Sequence, residues 1–420
     1  MSRATPATGP RGVLADAAGA PLSGMTWDHP RAYLALDAFA AGSGAPEVRW
    51  HRQPLSAFEA RPVAELARSH DLMVIDHPGL GAAIEADALL PIEEIIGARE
   101  LDAWLDSAIG SSARSYRLGG RTWAVPIDAA AQVAVRRRGA VVPVPARWED
   151  VPEAAAGHRV ALCLAGPHAM LTLLAMCSGE PPADRTRLLD PDAATAALGL
   201  LRTVYRMSDQ EASLLDPIGV HEAIAAGADG PLWCPLVYGY VSYARGGEGR
   251  ELAWSDAPGR RGRGPLSVLG GTGLAVSRRA RGKADVRAWL TAYMRDDVQT
   301  GLVPRSGGQP AHRAVWTGRQ DVDAAWGGFY SSTAATLEAA WVRPRLPGWI
   351  TLQAEGSELV REAVVHGRPA HVAVDRINRD YAVLLRSAGS PYESPTSAES
   401  AESPTSAESD KSAEPAKELS

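Results

Sequence analysis

Two copies of Asp-His-Pro stand out as residues that could do chemistry: Asp28-His29-Pro30 in "TWDHP" and Asp76-His77-Pro78 in "DLMVIDHPGLGAAI". Histidine titrates near neutral pH, and a nearby carboxylate can orient it, so the pair has the makings of an acid–base catalyst. Each copy follows a strand-like apolar run and precedes a run with helical spacing. At such a junction Asp28 and Asp76 also suit helix N-caps, with Pro30 and Pro78 opening the first turn. Both roles stay open, since a cap at the mouth of a cleft can also accept a hydrogen bond from a ligand hydroxyl. In open α/β sheets ligands bind beyond the carboxyl ends of strands, which is where His29 and His77 are expected to face a cleft. If both reach it, they are the acid–base groups of an enzyme.

Other catalytic templates fail. "GLG" at 79–81 and "GGTG" at 270–273 do not complete a dinucleotide fingerprint, and neither a phosphate-binding P-loop nor a G-x-S-x-G elbow occurs. "HEAIA" at 221–225 places Ala225 where a zinc site needs a second histidine. Cys163, Cys177 and Cys234 are widely spaced and odd in number, so no disulfide framework or zinc ribbon is expected. The expectation is no metal and no cofactor.

The aromatic usage points elsewhere. The chain holds 12 Trp and 10 Tyr but only 3 Phe, an excess of rings that carry a polar end. Trp27, Trp233, Trp341, Tyr238 and Tyr240 fall at element ends or in loops. There a flat ring with a hydrogen-bonding edge suits stacking on a sugar or another amphipathic small molecule, and core packing is the alternative.

The elements that must position these residues alternate. Strand-like runs "EVRWHR", "DLMVIDHP", "WAVPID", "QVAVRRR", "RVALCLAG", "PLWCPLVYGYVSYA" and "SVLGGTGLAVS" are separated by helical spacing in "RAYLALDAFAA", "SAFEARPVAELARS" and "PHAMLTLLAMCSG". Further helices are expected at 192–206, 283–296, 310–317, 355–366 and 370–386. Such alternation predicts an α/β fold with mostly parallel sheets. Gly119-Gly120 reads as a hairpin turn. Residues 387–420 are different: Ser, Glu, Pro and Ala dominate, and the heptad SPTSAES occurs at 394–400 and again at 403–409. A disordered tail is expected there. It carries about −5 of the formal −6, leaving a nearly neutral folded part with no footprint for nucleic acid. The arginine clusters at 136–138 and 259–264 read as a strand end and a solvated loop. No apolar run is long enough to span a membrane.

Taken in order, "DLMVIDHPGLG", "GGRTWAVPIDAAAQVAVRR", "PLVYGYVSYA", "GPLSVLGGTGLAVSRRA" and "SGGQPAHRAVW" resemble blocks of the extracellular solute-binding proteins of ABC importers, within the group that includes sugar binders. The resemblance covers roughly 22–385. It implies a type II periplasmic-binding-protein fold, two α/β lobes closing on a solute, with each sheet mixed but mostly parallel. Lobe 1 would hold 22–125 and 270–310, and lobe 2 would hold 126–265 and 311–386, between a flexible 1–21 and the tail. "WAVPID" and "LSVLGGTG" would cross between lobes. By position, ligand contacts would come from Trp27, Asp28, His29, Asp76, His77, Asp128, Trp233, Tyr238, Tyr240, Gly271, Thr272 and Arg343. Arg343 would either clamp a ligand carboxylate or pair with an acid between lobes. The implied partners are a small polar solute and the membrane subunits of an ABC transporter, and the chain is expected to act as a monomer. The N-terminus shows no signal peptide or lipobox, so the sequence as written reads as cytoplasmic, and as extracytoplasmic if the start lies upstream. A cytoplasmic ligand sensor is a further alternative.

Overall fold

The computed structural model describes residues 20–227, 229–245 and 251–388. Of the expected flexible N-terminus only residues 20 and 21 are among these, and of the expected tail only 387 and 388; the rest of both lie outside the described residues.

Among the described residues ten strands occur in chain order: β1 (Leu22–Trp27), β2 (Val48–Gln53), β3 (Leu72–Ile75), β4 (Leu89–Leu90), β5 (Arg117–Leu118), β6 (Arg121–Thr122), β7 (Ala124–Arg137), β8 (Trp233–Tyr238), β9 (Leu252–Ser255) and β10 (Leu269–Ser277). Eight form one sheet in the order β2-β1-β3-β10-β7-β8, with β4 beside β10 and β9 beside β7. β5 and β6 make the hairpin, turned by Gly119 at φ 60° and Gly120 at φ 74°. That left-handed pair is what a tight two-residue turn requires.

The sheet corrects one expectation. Among the ladders of the described strands, only β1–β2 and β1–β3 are parallel. Every ladder that involves β7 or β10 is antiparallel. The continuous apolar run in "WAVPIDAAAQVAV" signals burial on both faces, and a central antiparallel strand under helices shares that signal with a parallel one. A second correction concerns "RVALCLAG", which makes only an isolated bridge, Val160 to Trp233.

"WAVPID" and "QVAVRRR" are one strand. At about 3.3 Å per residue, β7 runs roughly 45 Å. It pairs with β10 through Ala124–Ala131 and with β8 and β9 through Gln132–Arg137, so it serves both halves of the sheet. Its residues 124–135 are buried except Asp128. Opposite Asp128 the β7–β10 register slips between Thr272 and Gly273. Such a slip re-aims the flanking side chains.

The cleft and its supporting walls are built by α1 (Pro30–Gly42), α2 (Leu55–Ala60), α3 (Val63–Leu66), α4 (Leu80–Glu85), α5 (His168–Cys177), α6 (Pro191–Met207), α7 (Pro217–Ala225), α8 (Trp349–Val364) and α9 (Ala370–Ala388). α5, "HAMLTLLAMC", is buried at every position, as its all-round apolarity requires. Each of its Leu and Met side chains contributes roughly 1.5–3 kcal/mol by leaving water. α8 packs closely on it because residue 356 is glycine: a Cβ there would stand 3.1 Å from the Met170 sulfur. Ser357 Oγ accepts the Met170 N–H at 3.1 Å in the same contact. α6 starts at Pro191 behind Asp190, whose carboxylate accepts the N–H groups of Asp192 and Ala193. These helices build the wall on which α8 and the preceding segment 341–348 are mounted.

Candidate functional site

A cavity of about 300 Å³ opens at the carboxyl ends of β1, β3 and β8, beside the middle of β7 and the first residues of β10. That is the small end of the usual range for small-molecule sites, roughly 300–1,000 Å³. α2, α3 and the start of α4 line it from one side, and α5 and α8 from the other.

Two buried ion pairs dominate its chemistry. Arg31 sits in the first turn of α1, just after Pro30. Its Nε donates to Asp128 Oδ2 at 2.9 Å, Nη2 donates to Oδ1, and Nη1 donates to the Gly239 carbonyl at 3.2 Å. Its guanidinium carbon lies 5.0 Å from the Tyr240 ring centroid and 5.8 Å from that of Trp27. In the second pair Arg343 Nη2 donates to Asp76 Oδ2 at 2.6 Å, and Nη1 reaches Gln353 Oε1 at 3.4 Å. The arginine side chains are 4% and 5% exposed while Asp128 and Asp76 keep 12% and 29%, so it is the carboxylates that present themselves to the cavity.

Burial alone would raise the Asp76 carboxyl, but the Arg343 charge and the hydrogen bond from His77 hold it down at about 2. Burial likewise pushes Asp128 up, against the opposing pull of Arg31. Burial would lower Arg31 and Arg343, and the facing carboxylates more than restore them, so both are raised. Two guanidinium ions face two carboxylates, and the polar centre of the cavity is charge-balanced.

Trp27, Asp76, Asp128, Tyr238, Tyr240, Gly271, Thr272 and Arg343 all line this cavity. Asp28, His29, His77 and Trp233 do not, and each departure has a physical reason. Asp28 is exposed and caps nothing: His29 is the N-cap of α1, its Nδ1 accepting the Arg31 N–H at 3.1 Å. Turned inward for that bond, His29 stacks on Trp27 at 5.1 Å between centroids. Burial and then the Arg31 charge lower its pKa to about 4. Asp76 does cap, accepting the His77 N–H at 2.8 Å. His77 points away from the cleft into the core, edge-on to Tyr116 at 6.1 Å, and burial with the Arg343 charge takes its pKa to about 4. Trp233 opens β8 and is fully buried. Arg343 is engaged with Asp76, so it is an ion-pair member and not an open clamp for a ligand carboxylate.

Arg31, Phe58, His168, Trp349 and Gln353 also line the cavity and are not among the site residues that the sequence points to. Arg31 carried a signal: a cation in the first helical turn is disfavoured by the helix dipole unless an acid answers it. Asp128 carried another, as the lone carboxylate inside a long apolar strand.

Several solved structures share this architecture. Maltose-bound MalE3 of T. maritima superposes with a TM-score of 0.71 at 15% identity, over 87% of this chain and 100% of that one. An ABC transporter solute-binding protein of Agrobacterium radiobacter K84 in complex with ribitol gives 0.70 at 17% identity, over 87% and 99%. One of Thermotoga lettingae TMO bound with alpha-D-tagatose gives 0.71 at 14% identity, over 87% and 100%. The fold is that of ABC transporter solute-binding proteins. No family model matches the chain, and no curated protein sequence matches it. The solute-binding-protein fold is thus carried by a sequence far from these neighbours, and its likeness to them extends over nearly all the described residues.

Proposed function

We propose that this chain is a solute-binding protein that captures one small, neutral, hydroxyl-rich solute in the cavity and presents it to an ABC-type importer. The observation that carries this reading is the pairing of Arg31 with Asp128 and of Arg343 with Asp76 in an aromatic-lined cavity. A carboxylate already held by arginine keeps lone pairs for ligand hydroxyls, while the guanidinium fixes its orientation. Because the charges balance, an anionic or cationic solute would lose its hydration with no compensating net charge. A neutral polyol gives up less. The ring of Tyr240 and the indole of Trp27 offer flat apolar surface beside these groups. The maltose, ribitol and tagatose held by the structural neighbours are all of this chemical class.

The test is a thermal-shift screen of free sugars, polyols, amino acids and organic acids. A neutral polyhydroxylated compound at 100 times its Kd is expected to stabilise the protein by about 2.7 kcal/mol. Stabilisation by acids or amino acids alone, or by nothing in the screen, would refute the reading. The acid–base alternative through His29 and His77 gains nothing from the geometry, since neither ring lines the cavity.

A further inference from the structure

We propose that the captured solute is amphipathic: a neutral hydroxylated head that carries an apolar substituent several carbons long. This rests on the preceding reading and narrows it.

The two ion pairs and Tyr240 account for one part of the cavity. Another part has a different character. From α2 and α3 the cavity receives Leu55, Phe58, Val63 and Leu66, and from the opposite side Leu171 of α5 and Ile350 of α8. Leu66 and Leu171 are buried, whereas Leu55, Phe58, Val63 and Ile350 are half-buried. Among the described side chains of 55–66, Arg61 is the one charged group in the cavity, and its guanidinium is paired with Glu65 at 2.6 Å.

Such a wall is poorly matched to a bare sugar. A monosaccharide carries a hydroxyl on nearly every carbon, and its apolar character is confined to the two ring faces, for which Trp27 and Tyr240 suffice. A hydroxyl moved from water against Leu, Val and Ile side chains finds no partner, at a cost in free energy. An alkyl or aryl group placed there gains instead, about fourfold in affinity for each methylene buried.

The two parts adjoin. The Trp27 indole has the Arg31 guanidinium at 5.8 Å and the Phe58 ring at 6.0 Å. A head stacked on Trp27 and bonded to Asp128 can therefore extend its substituent toward Phe58 without leaving the cavity. The solute class is a glycoside or polyol ether with an apolar aglycone.

The experiment is calorimetric titration with glucose, maltose and ribitol and with their methyl, butyl and hexyl ethers or glycosides, all below micellar concentrations. It is repeated on Phe58→Ser and Ile350→Ser. Affinity is expected to rise by at least about 30-fold from the methyl to the hexyl member of a series. The hexyl-to-methyl affinity ratio is expected to fall at least about fivefold in each variant, as removal of one of several apolar contacts dictates. A merely structural effect of either substitution would lower both affinities together and leave the ratio unchanged, which overturns the proposal. So does binding of the free heads with no gain along the series. Failure of every compound, free heads included, overturns the reading under Proposed function itself.

Discussion

Arg31 occupies a position that an isolated helix would not choose for a cation, and Asp128 is what makes it tenable. Replacing Arg31 with Met leaves Asp128 without its partner at a largely buried position. The expected loss is about 3–5 kcal/mol in urea unfolding, and Arg31→Met with Asp128→Leu should recover much of it. His221 of α7 poses a separate question at the same scale. It is fully buried against the rings of Tyr240, Tyr243 and Trp254, and neither ring nitrogen has a hydrogen-bond partner among the described residues. Burial, followed by the nearby His29 and Arg31, lowers its pKa from 6.5 to about 3. Between those values the unfolded chain binds the proton and the folded chain does not, so the contribution is full above pH 6.5 and is lost as the pH falls toward 3. His29, His77 and His168 are lowered in the same direction. Scanning calorimetry between pH 7 and about pH 4 should show a steadily falling Tm. His221→Phe should fall less steeply and be at least as stable as wild type near pH 5, because it removes two unpartnered polar atoms and one titration.

The decisive element is the bulged antiparallel ladder of β7 and β10. Gly271 has φ 91°, and a Cβ there would lie 2.3 Å from the Asp128 carbonyl oxygen. Gly271→Ala is expected to cost more than about 2 kcal/mol by chemical denaturation and to displace Asp128, so ligand affinity falls with stability. Gly270 is close behind: a Cβ would meet the Tyr238 ring at 2.6 Å. Much of this level was legible. Alternation of apolar runs with helical spacing marks the α/β class, "LGGRT" marks the hairpin, and the place of Asp128 follows only from the resemblance to solute-binding proteins. Strand direction was not legible, because hydrophobic continuity reports burial and not polarity. Nor could the sequence say which way His29 and His77 turn. That depends on a cap bond to the Arg31 N–H in one case and on packing against Tyr116 in the other. The Arg31–Asp128 pairing is not legible in the sequence, because the two residues lie 97 positions apart.

At the scale of the whole molecule, segment 343–347 holds the two sides of the cavity together. Arg343 reaches Asp76, and Arg345 Nη1 donates to the carbonyls of Arg114 at 2.7 Å and Arg117 at 3.1 Å. Gly81 of α4 permits the contact, since a Cβ there would lie 2.0 Å from the Arg345 carbonyl oxygen. Gly81→Ala should hold this contact apart. Urea unfolding is expected to show a loss of more than about 2 kcal/mol, and solute affinity should drop about tenfold or more, because the Arg343–Asp76 pair moves with its segment. The proposal at the centre of these predictions is that the charge-balanced cavity takes a neutral hydroxyl-rich solute. The most direct test is calorimetric titration of unfolded-and-refolded protein, stripped of any bound solute, with neutral sugars and polyols in parallel with their acid and amino counterparts. One-to-one binding of a neutral compound, at least about tenfold tighter than its charged counterparts and abolished in Arg31→Met, is the expected result. Tighter binding of a carboxylate, phosphate or amine, or neutral binding that survives loss of Arg31, would contradict the claim.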